Sequence, residues 1–297
     1  MTIIAAAVKE LREATGAGIL DCRNALQTYG GDFEKAAEYL REKGLIKADQ
    51  KADRETETGL VVVKAAGNNA CAIEVNCETD FVARTDVFKT FVHRAADQVL
   101  ADPGLTDADG LLAADFIDTP GKTTADVVRE LISRLGENII VRRVAHYASG
   151  SIIESYIHAG ALEGFFDPME GRIGVLVELN AGNAADNSIL RDLAHELVLH
   201  ITSASPEYLA VDDVPGEIVE SKREEWIAQL ARDNKPEPIR ARIVEGRLNS
   251  FYQDVCLLRQ AFVKDPGINV ETLLRQKSAE VGEPVIVSRF ARFEIGA

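Results

Sequence analysis

The sequence predicts an α+β protein in which a module of three helices precedes two related α+β subdomains that carry a protruding antiparallel helical hairpin. Three observations lead to this prediction. Apolar residues recur at helical spacing over the first 46 residues, short runs rich in β-formers begin at Gly59, and a strand pattern of the first half is repeated in the second. Helices and strands segregated in this way along a chain are typical of α+β domains.

Residues 1–54 are predicted to form the N-terminal three-helix module and its linker. The apolar residues of its three helical faces are Val8 and Leu11, then Ile19, Leu20, Ala25 and Leu26, then Phe33, Ala36, Ala37 and Leu40. Glycine-containing turns separate the three stretches, and Asp32 is placed to be the N-cap of the third helix. The charged segment 47–58 contains almost no apolar residue, which indicates a linker or a solvated extension of that helix.

Residues 55–148 are predicted to form the first subdomain. Two runs rich in β-formers, residues 60–63 and 70–75, flank Gly67, Asn68 and Asn69, which is the pattern of a β-hairpin. Further along, the spacing predicts a helix over residues 88–99 with Thr85 as its N-cap, a helix over residues 127–135 and a strand over residues 139–147.

Residues 149–297 are predicted to form the second subdomain, because Ile73-Glu74-Val75-Asn76 has a counterpart in Val177-Glu178-Leu179-Asn180. A polar connection and then a helix follow each of these runs. The helical hairpin is predicted within this subdomain over residues 214–258, where two apolar stripes flank Pro236 and Pro238. Two prolines so close together force the chain to turn, so the helices on either side are expected to pack antiparallel. A last strand is predicted over residues 285–293.

Composition and charge argue against three classes: nucleic-acid-binding, membrane and exported proteins. The net charge is -15 and no dense Lys/Arg tract is present, so direct binding of nucleic acid is not expected, since that affinity comes largely from neutralising phosphates. The four cysteines show no metal-ligand or disulfide spacing, which favours a reducing, cytoplasmic location. No apolar run reaches membrane-spanning length and the first residues do not resemble a secretory signal, so neither a membrane protein nor an exported one is expected.

Two segments imitate catalytic or nucleotide-binding motifs but lack a necessary residue or spacing. Gly121-Lys122-Thr123 ends like a phosphate-binding loop, yet the glycine required five residues earlier is Phe116. His195 and His200 resemble a helical zinc motif, yet they are five residues apart instead of four. At about 100° per residue that spacing turns the two rings well away from each other, so a metal-dependent hydrolase is improbable.

An acidic residue and a large aromatic residue stand side by side at Asp80 and Phe81, just after a predicted strand. Because helical spacing resumes only at Phe88, Thr79 to Val82 are expected to lie in a surface connection between strand and helix. Two alternatives remain open for Phe81. Its ring either folds back and caps the core, which is the commoner fate of such a side chain, or protrudes and contacts a partner.

Three separated motifs carry a resemblance to a known family. They are residues 8–22 (VKELREATGAGILDC), 77–83 (CETDFVA) and 243–248 (IVEGRL). In this order, and over nearly the whole chain, they resemble bacterial translation elongation factor Ts. The resemblance implies that the first 54 residues are similar to ubiquitin-associated domains and that two related core subdomains follow.

The resemblance also implies a guanine-nucleotide exchange factor that binds elongation factor Tu carrying GDP, and not an enzyme. The Thr-Asp-Phe-Val motif of the family falls on Thr79, Asp80, Phe81 and Val82, which are implied to bind the partner and dislocate its Mg²⁺. By that match, Asp80 and Phe81 would enter the nucleotide domain of the partner near this ion. Further partner contacts are implied at Arg12, Ile19, Leu20 and His158. The chain itself would need no cofactor and no metal, and a stable homodimer is possible but not predicted.

The sequence departs from the family pattern in two places. Residues 159–171 form a longer connection than is usual in the family and include Phe165 and Phe166, and the chain ends without the C-terminal helical module that many members carry.

The alternative hypothesis for the function is a non-catalytic binding module whose N-terminal helices recognise a ubiquitin-like or ribosome-associated partner.

Overall fold

The computed structural model describes residues 4–160, 167–182, 187–230 and 236–297. The chain divides by its internal contacts into two compact units. Unit 1 comprises Met1–His146, Ile157–Gly174 and Phe293–Ala297, and unit 2 comprises Tyr147–Tyr156 and Val175–Arg292. The boundaries predicted after residues 54 and 148 remain predictions. None of the helices in the described ranges is both long and apolar enough to cross a membrane.

Both units contain helices and strands, and three consecutive helices begin unit 1. The helices are α1 (Ala5–Thr15), α2 (Ile19–Thr28), α3 (Phe33–Asp49), α4 (Asp80–Ala83), α5 (Asp86–Ala101), α6 (Ala108–Ala113), α7 (Thr124–Leu135), α8 (Ser188–Ala204), α9 (Gly216–Leu230), α10 (Glu237–Val255) and α11 (Val270–Val281). The strands are β1 (Thr58–Ala65), β2 (Asn69–Cys77), β3 (Ile139–Ala148), β4 (Ile152–His158), β5 (Glu170–Gly171), β6 (Ile173–Asn180), β7 (Ala261–Phe262), β8 (Asp265–Asn269) and β9 (Ile286–Glu294). The predicted α+β class is confirmed.

The N-terminal helices of unit 1 enclose a small core of their own. Leu11, Cys22, Leu26 and Leu40 are buried in it. Asp32 accepts a hydrogen bond from the Lys35 amide at 3.1 Å, so its predicted role as the N-cap of α3 is confirmed. α3 continues to residue 49, which makes the first part of the charged segment a helix extension and only the remainder a linker.

The sheet of unit 1 has the strand order β3-β2-β1-β5. β1 and β2 form the predicted hairpin, with Ala65 opposite Ala70 and Thr58 opposite Cys77. α5 covers this sheet and begins where the sequence predicts, since the Thr85 hydroxyl accepts the Phe88 amide at 3.3 Å. The apolar faces of sheet and helix meet at fully buried side chains such as Phe88, Ile73 and Leu60.

Unit 2 contains most of a sheet with the order β4-β6-β9. The inner residues of α8 and β6 are fully buried; the largest are Leu176, Leu179, Leu190, Leu193, Leu197 and Ile201. α9 and α10 form the predicted helical hairpin and bury Leu230, Val244 and Leu248 between them. Pro238 lies in the first turn of α10, where a missing amide is tolerated. The turn predicted at residues 234–238 begins outside the described residues.

The repeated sequence pattern extends to a buried ion pair in each unit. In unit 1, Arg143 Nε of β3 lies 2.5 Å from Glu74 Oε2 of β2. In unit 2, Arg289 Nε of β9 lies 2.6 Å from Glu178 Oε2 of β6. Both carboxylates are less than one-tenth exposed. Each guanidinium also stacks on an aromatic ring, Arg143 on Phe293 and Arg289 on Tyr147. Each unit therefore neutralises a buried glutamate with an arginine from the neighbouring strand.

Candidate partner-binding site

The connection between β2 and α5 holds the most exposed large apolar side chain of the described residues. One helical turn, α4, interrupts this connection, with Thr79 as its N-cap. Val82 and Ala83 face inwards and are 8% and 2% exposed, whereas Phe81 is 80% exposed. A single turn that buries residues 82 and 83 leaves residue 81 on its outer side. Of the two alternatives for Phe81, the structure has the ring protruding.

We call Asp80 and Phe81 the prong. Asp80 has about half of its side chain in solvent and pairs with Arg84, with Oδ2 and Nη2 3.0 Å apart. Exposed pairs of this spacing contribute only about 0.3–0.5 kcal/mol, so the carboxylate can leave Arg84 for another ligand at little cost. The prong therefore presents an apolar ring and an exchangeable negative charge next to each other.

A set of hydrogen bonds joins the chain before the prong to the turn between α7 and β3. Glu78 accepts the Asn138 amide at 2.7 Å and a bond from Arg54 at 3.3 Å. The hydrogen bond from the Asn138 amide is the main reason why the pKa of Glu78 lies below its usual range. Glu137 accepts two bonds from Thr79. Glu137 was not predicted as a functional residue, because nothing in the local sequence links it to Thr79, 58 positions earlier.

The other predicted contact residues also belong to unit 1, on different elements. Arg12 is exposed in the last turn of α1, and Ile19 and Leu20, at the start of α2, are 57% and 71% exposed. The expectation that Ile19 and Leu20 share one apolar face with Ala25 and Leu26 is wrong, because only the latter two turn into the core of the module. Two adjacent exposed aliphatic side chains are a second apolar feature of this unit.

His158 is exposed at the end of β4, and its carbonyl oxygen accepts the Arg172 amide at 3.0 Å. This bond brings the two ends of the longer connection, residues 159–171, close together. Gly171 is required there, because a Cβ at this position would lie 2.6 Å from the carbonyl oxygen of His158. Phe165 and Phe166 lie outside the described residues.

The two histidines of the zinc-like motif occupy different environments. His195 is exposed beside Glu154, whereas His200 is fully buried. The Val263 amide donates to Nδ1 of His200 at 3.3 Å, so Nε2 must carry the proton and donate to Gln260 Oε1 at 3.1 Å. Within the described ranges no group of three or more His, Cys, Asp or Glu side chains is arranged to hold a metal ion.

Burial lowers the pKa of His200, although the bond to Gln260 opposes this shift, and acid should therefore destabilise unit 2. The folded state keeps this ring neutral below the pH at which it is protonated in the unfolded chain. We expect the free energy of unfolding to fall as pH drops below about 6.5, by up to about 1.4 kcal/mol per pH unit. Urea unfolding of His200→Gln should lose this slope. His195→Asn is the control and should retain it, and an NMR titration placing the His200 pKa at or above 6.5 would contradict the expectation.

Comparison with known proteins gives one consistent result. A sequence model of the family described as "Elongation factor TS" matches residues 78–297. Proteins named elongation factor Ts from Aquifex aeolicus, Magnetococcus marinus and Clostridium perfringens are 40%, 39% and 41% identical to the chain. These matches cover 97%, 100% and 99% of the chain and 96%, 93% and 93% of the relatives.

The chain belongs to the elongation factor Ts family. It is therefore a translation elongation factor, which acts in protein biosynthesis. The family model begins at Glu78 and thus includes the whole prong, while the pairwise matches extend the similarity through the N-terminal helices. The elongation factor Ts resemblance predicted from three sequence motifs is confirmed over almost the full length of the chain.

Proposed function

We propose that the chain is a guanine-nucleotide exchange factor that binds elongation factor Tu carrying GDP and promotes release of the nucleotide. Membership of the elongation factor Ts family supports the partner and the process. The single observation that carries the proposal is the prong, where a ring four-fifths exposed to water stands beside an exchangeable carboxylate. An aromatic side chain held in solvent is a favourable element for insertion into a partner, because burial there recovers about 1.5–3 kcal/mol.

The two prong residues have separate roles in this mechanism. Phe81 enters an apolar pocket in the nucleotide domain of the partner and holds that domain in a distorted form. Asp80 disturbs the ligands or waters of the partner's Mg²⁺, whose near-octahedral shell tolerates little displacement. Loss of the ion loosens the diphosphate and GDP leaves. The chain makes and breaks no covalent bond in this sequence.

The remaining predicted residues supply affinity. Arg12, Ile19 and Leu20 contact the nucleotide domain from the N-terminal module, and His158 contacts the partner from the end of β4. Ile19 and Leu20 are well suited to this role because both are more than half exposed. Thr79 and Val82 act indirectly, as the N-cap and the buried base of α4.

Reciprocity is a thermodynamic requirement of this mechanism. If the chain weakens GDP binding by some factor, GDP must weaken binding of the chain to the partner by the same factor. The chain therefore prefers the nucleotide-free partner. No direct contact with nucleic acid or with a membrane is part of the proposal.

Stopped-flow release of fluorescent GDP from elongation factor Tu tests the proposal. With excess unlabelled GDP as trap, the release rate should rise with the concentration of the chain, and binding of the chain should weaken as GDP is added. A rate independent of the chain at every concentration would reject exchange activity. Recovery of a partner that is not a GTPase in a pull-down would then favour the rival binding-module hypothesis.

A further inference from the structure

The helical turn that carries the prong is too short to hold its own conformation. α4 contains four residues, Asp80–Ala83, and the first turn of a helix is its least favourable part. In longer helices a Glu or Gln at the third position can stabilise this end by accepting the amide of the N-cap residue. The third position of α4 is Val82, which has no acceptor, so the Thr79 amide needs an acceptor from elsewhere in the fold.

Glu137 supplies that acceptor from a position 58 residues further along the chain. Its Oε2 accepts the Thr79 amide at 3.0 Å, and its Oε1 accepts the Thr79 hydroxyl at 2.6 Å. The second bond fixes the direction of the hydroxyl hydrogen and leaves an oxygen lone pair for the Val82 amide, which lies 3.5 Å away. Glu137 thus does from outside what the side chain of a capping box does from inside a helix.

The backbone around Glu137 is itself held in place. Gly136 ends α7 in the left-handed conformation with φ +83°, which turns the chain sharply into residues 137 and 138. Next to it, the Asn138 amide donates to Glu78 at 2.7 Å. The Asn138 side chain donates to the carbonyl oxygens of Ala52 and Arg54, at 3.1 and 2.9 Å. Two adjacent residues of the turn after α7, Glu137 and Asn138, therefore bind the residues just before the prong, and Asn138 also binds the linker of the N-terminal module.

From this geometry we infer that Glu137 is a positioning residue for the prong. Both of its side-chain oxygens accept a hydrogen bond from Thr79, and by fixing that N-cap it holds α4 in the orientation that keeps Phe81 in solvent. A prong that is already ordered when it inserts into the nucleotide domain spares the transition state of GDP release the loss of conformational entropy that ordering it at that step would require. The inference rests on the proposed function insofar as nucleotide release is the activity that the prong serves.

Steady-state exchange kinetics of Glu137→Ala test the inference. We expect kcat for GDP release to fall about tenfold. The free energy that a hydrogen bond to a charged group typically contributes corresponds to at least a tenfold change in rate. KM for the GDP-bound partner should stay within about twofold, since the other contact residues are untouched. Glu137→Gln can retain one of the two acceptor bonds and should restore part of the rate. The control is Glu130→Ala, which removes a carboxylate from α7 that binds Lys122 and should leave both constants unchanged.

Amide hydrogen exchange of the isolated full-length chain gives a second, independent measurement. Glu137→Ala should lose protection at the Thr79 and Val82 amides and keep wild-type protection in the core of β2. A wild-type kcat for Glu137→Ala, or unchanged protection at Thr79, would overturn the inference. If this variant does not fold, the same kinetics of Glu137→Gln decide: a kcat below that of the wild type is expected, and a wild-type kcat would overturn the inference.

The two proposals fail in different ways. If the wild-type chain does not accelerate GDP release, the proposed function fails. Hydrogen exchange at the Thr79 amide still tests whether Glu137 orders the prong. If substitution of the prong abolishes exchange while Glu137→Ala leaves kcat unchanged, the proposed function stands and the positioning role is overturned.

Discussion

The double variant Asp80→Ala with Phe81→Ala is expected to lose most of its acceleration of GDP release from elongation factor Tu. Loss of the ring alone removes about 1.5–3 kcal/mol of burial that is gained only when the nucleotide domain is distorted. That energy corresponds to a rate about 10- to 150-fold lower, and loss of the carboxylate adds to it. Fluorescent GDP release at saturating chain concentration measures the effect.

The fold should tolerate this change. Phe81 is 80% exposed and Asp80 forms only a surface ion pair, so the free energy of unfolding should change by no more than about 0.5 kcal/mol. A matched control is Asp109→Ala with Ile117→Ala, which removes an exposed acid and a partly exposed aliphatic side chain elsewhere in unit 1. That control should exchange like the wild type. Unchanged exchange by the prong variant would show that the connection after β2 does not act on the nucleotide.

Single variants can separate the two prong residues. If Asp80 acts through the partner's Mg²⁺, the defect of Asp80→Ala should shrink when the ion is removed beforehand with EDTA. The defect of Phe81→Ala should persist under the same conditions, because an apolar wedge does not depend on the metal. Equal defects of Asp80→Ala with and without Mg²⁺ would contradict the assigned role of the carboxylate.

Local sequence signals predicted the elements around the prong well. Asp32 and Thr85 cap helices because each bonds an amide three residues ahead, which a short window of sequence contains. The β1–β2 hairpin was predictable from residues 67–69 for the same reason. By contrast, α6, α11 and β4 were not predicted. The short apolar runs of α6 and β4 are ambiguous between helix and strand, whereas α11 has a local signal of the same kind as the other caps, since Asn269 accepts the Thr272 amide.

The orientation of Phe81 and the role of Glu137 lay beyond what the sequence could decide. Whether a ring on a single helical turn faces in or out depends on which neighbours fill the core, here Val82 and Ala83. The bond between Glu137 and Thr79 joins residues 58 positions apart, and only the folded sheet brings them together. A glycine at a helix end followed by an acidic residue is too common a pattern to have indicated this contact.

The repeated pattern around Glu74 and Glu178 shows how a short sequence echo can have a physical basis. Each glutamate is buried in a strand that pairs with an arginine-bearing strand, and a buried charge is costly unless it is paired. The two glutamates belong to the repeated sequence pattern, whereas their arginine partners lie 69 and 111 residues away and were not predicted. Loss of one side chain of either pair should therefore lower stability strongly.

Arg143→Met is accordingly expected to destabilise unit 1 by about 2–3 kcal/mol. Glu74 is fully buried, and breaking a buried pair by removing one partner typically costs about 3–5 kcal/mol. We expect less because about a third of the Arg143 side chain is exposed and because Arg142 Nη1 lies 3.6 Å from Glu74 Oε1. The only tryptophan, Trp226, belongs to unit 2, so amide hydrogen exchange in β2 is the appropriate measurement for unit 1.

The cause of this loss should be the unpaired charge and not the missing contacts of arginine. Glu74→Gln combined with Arg143→Met removes both charges of this pair and should recover at least half of the stability that Arg143→Met loses. Arg142→Met is the control next to it in β3. Its guanidinium lies beyond hydrogen-bond distance of Glu74 and donates only an exposed bond, to the Ala297 carbonyl oxygen, so its weaker attraction to Glu74 should make this variant cost less than about 1 kcal/mol. If the combined variant were no more stable than Arg143→Met alone, the packing of Arg143 against Phe293 would be its main contribution, and the buried charge would not govern the stability of this sheet.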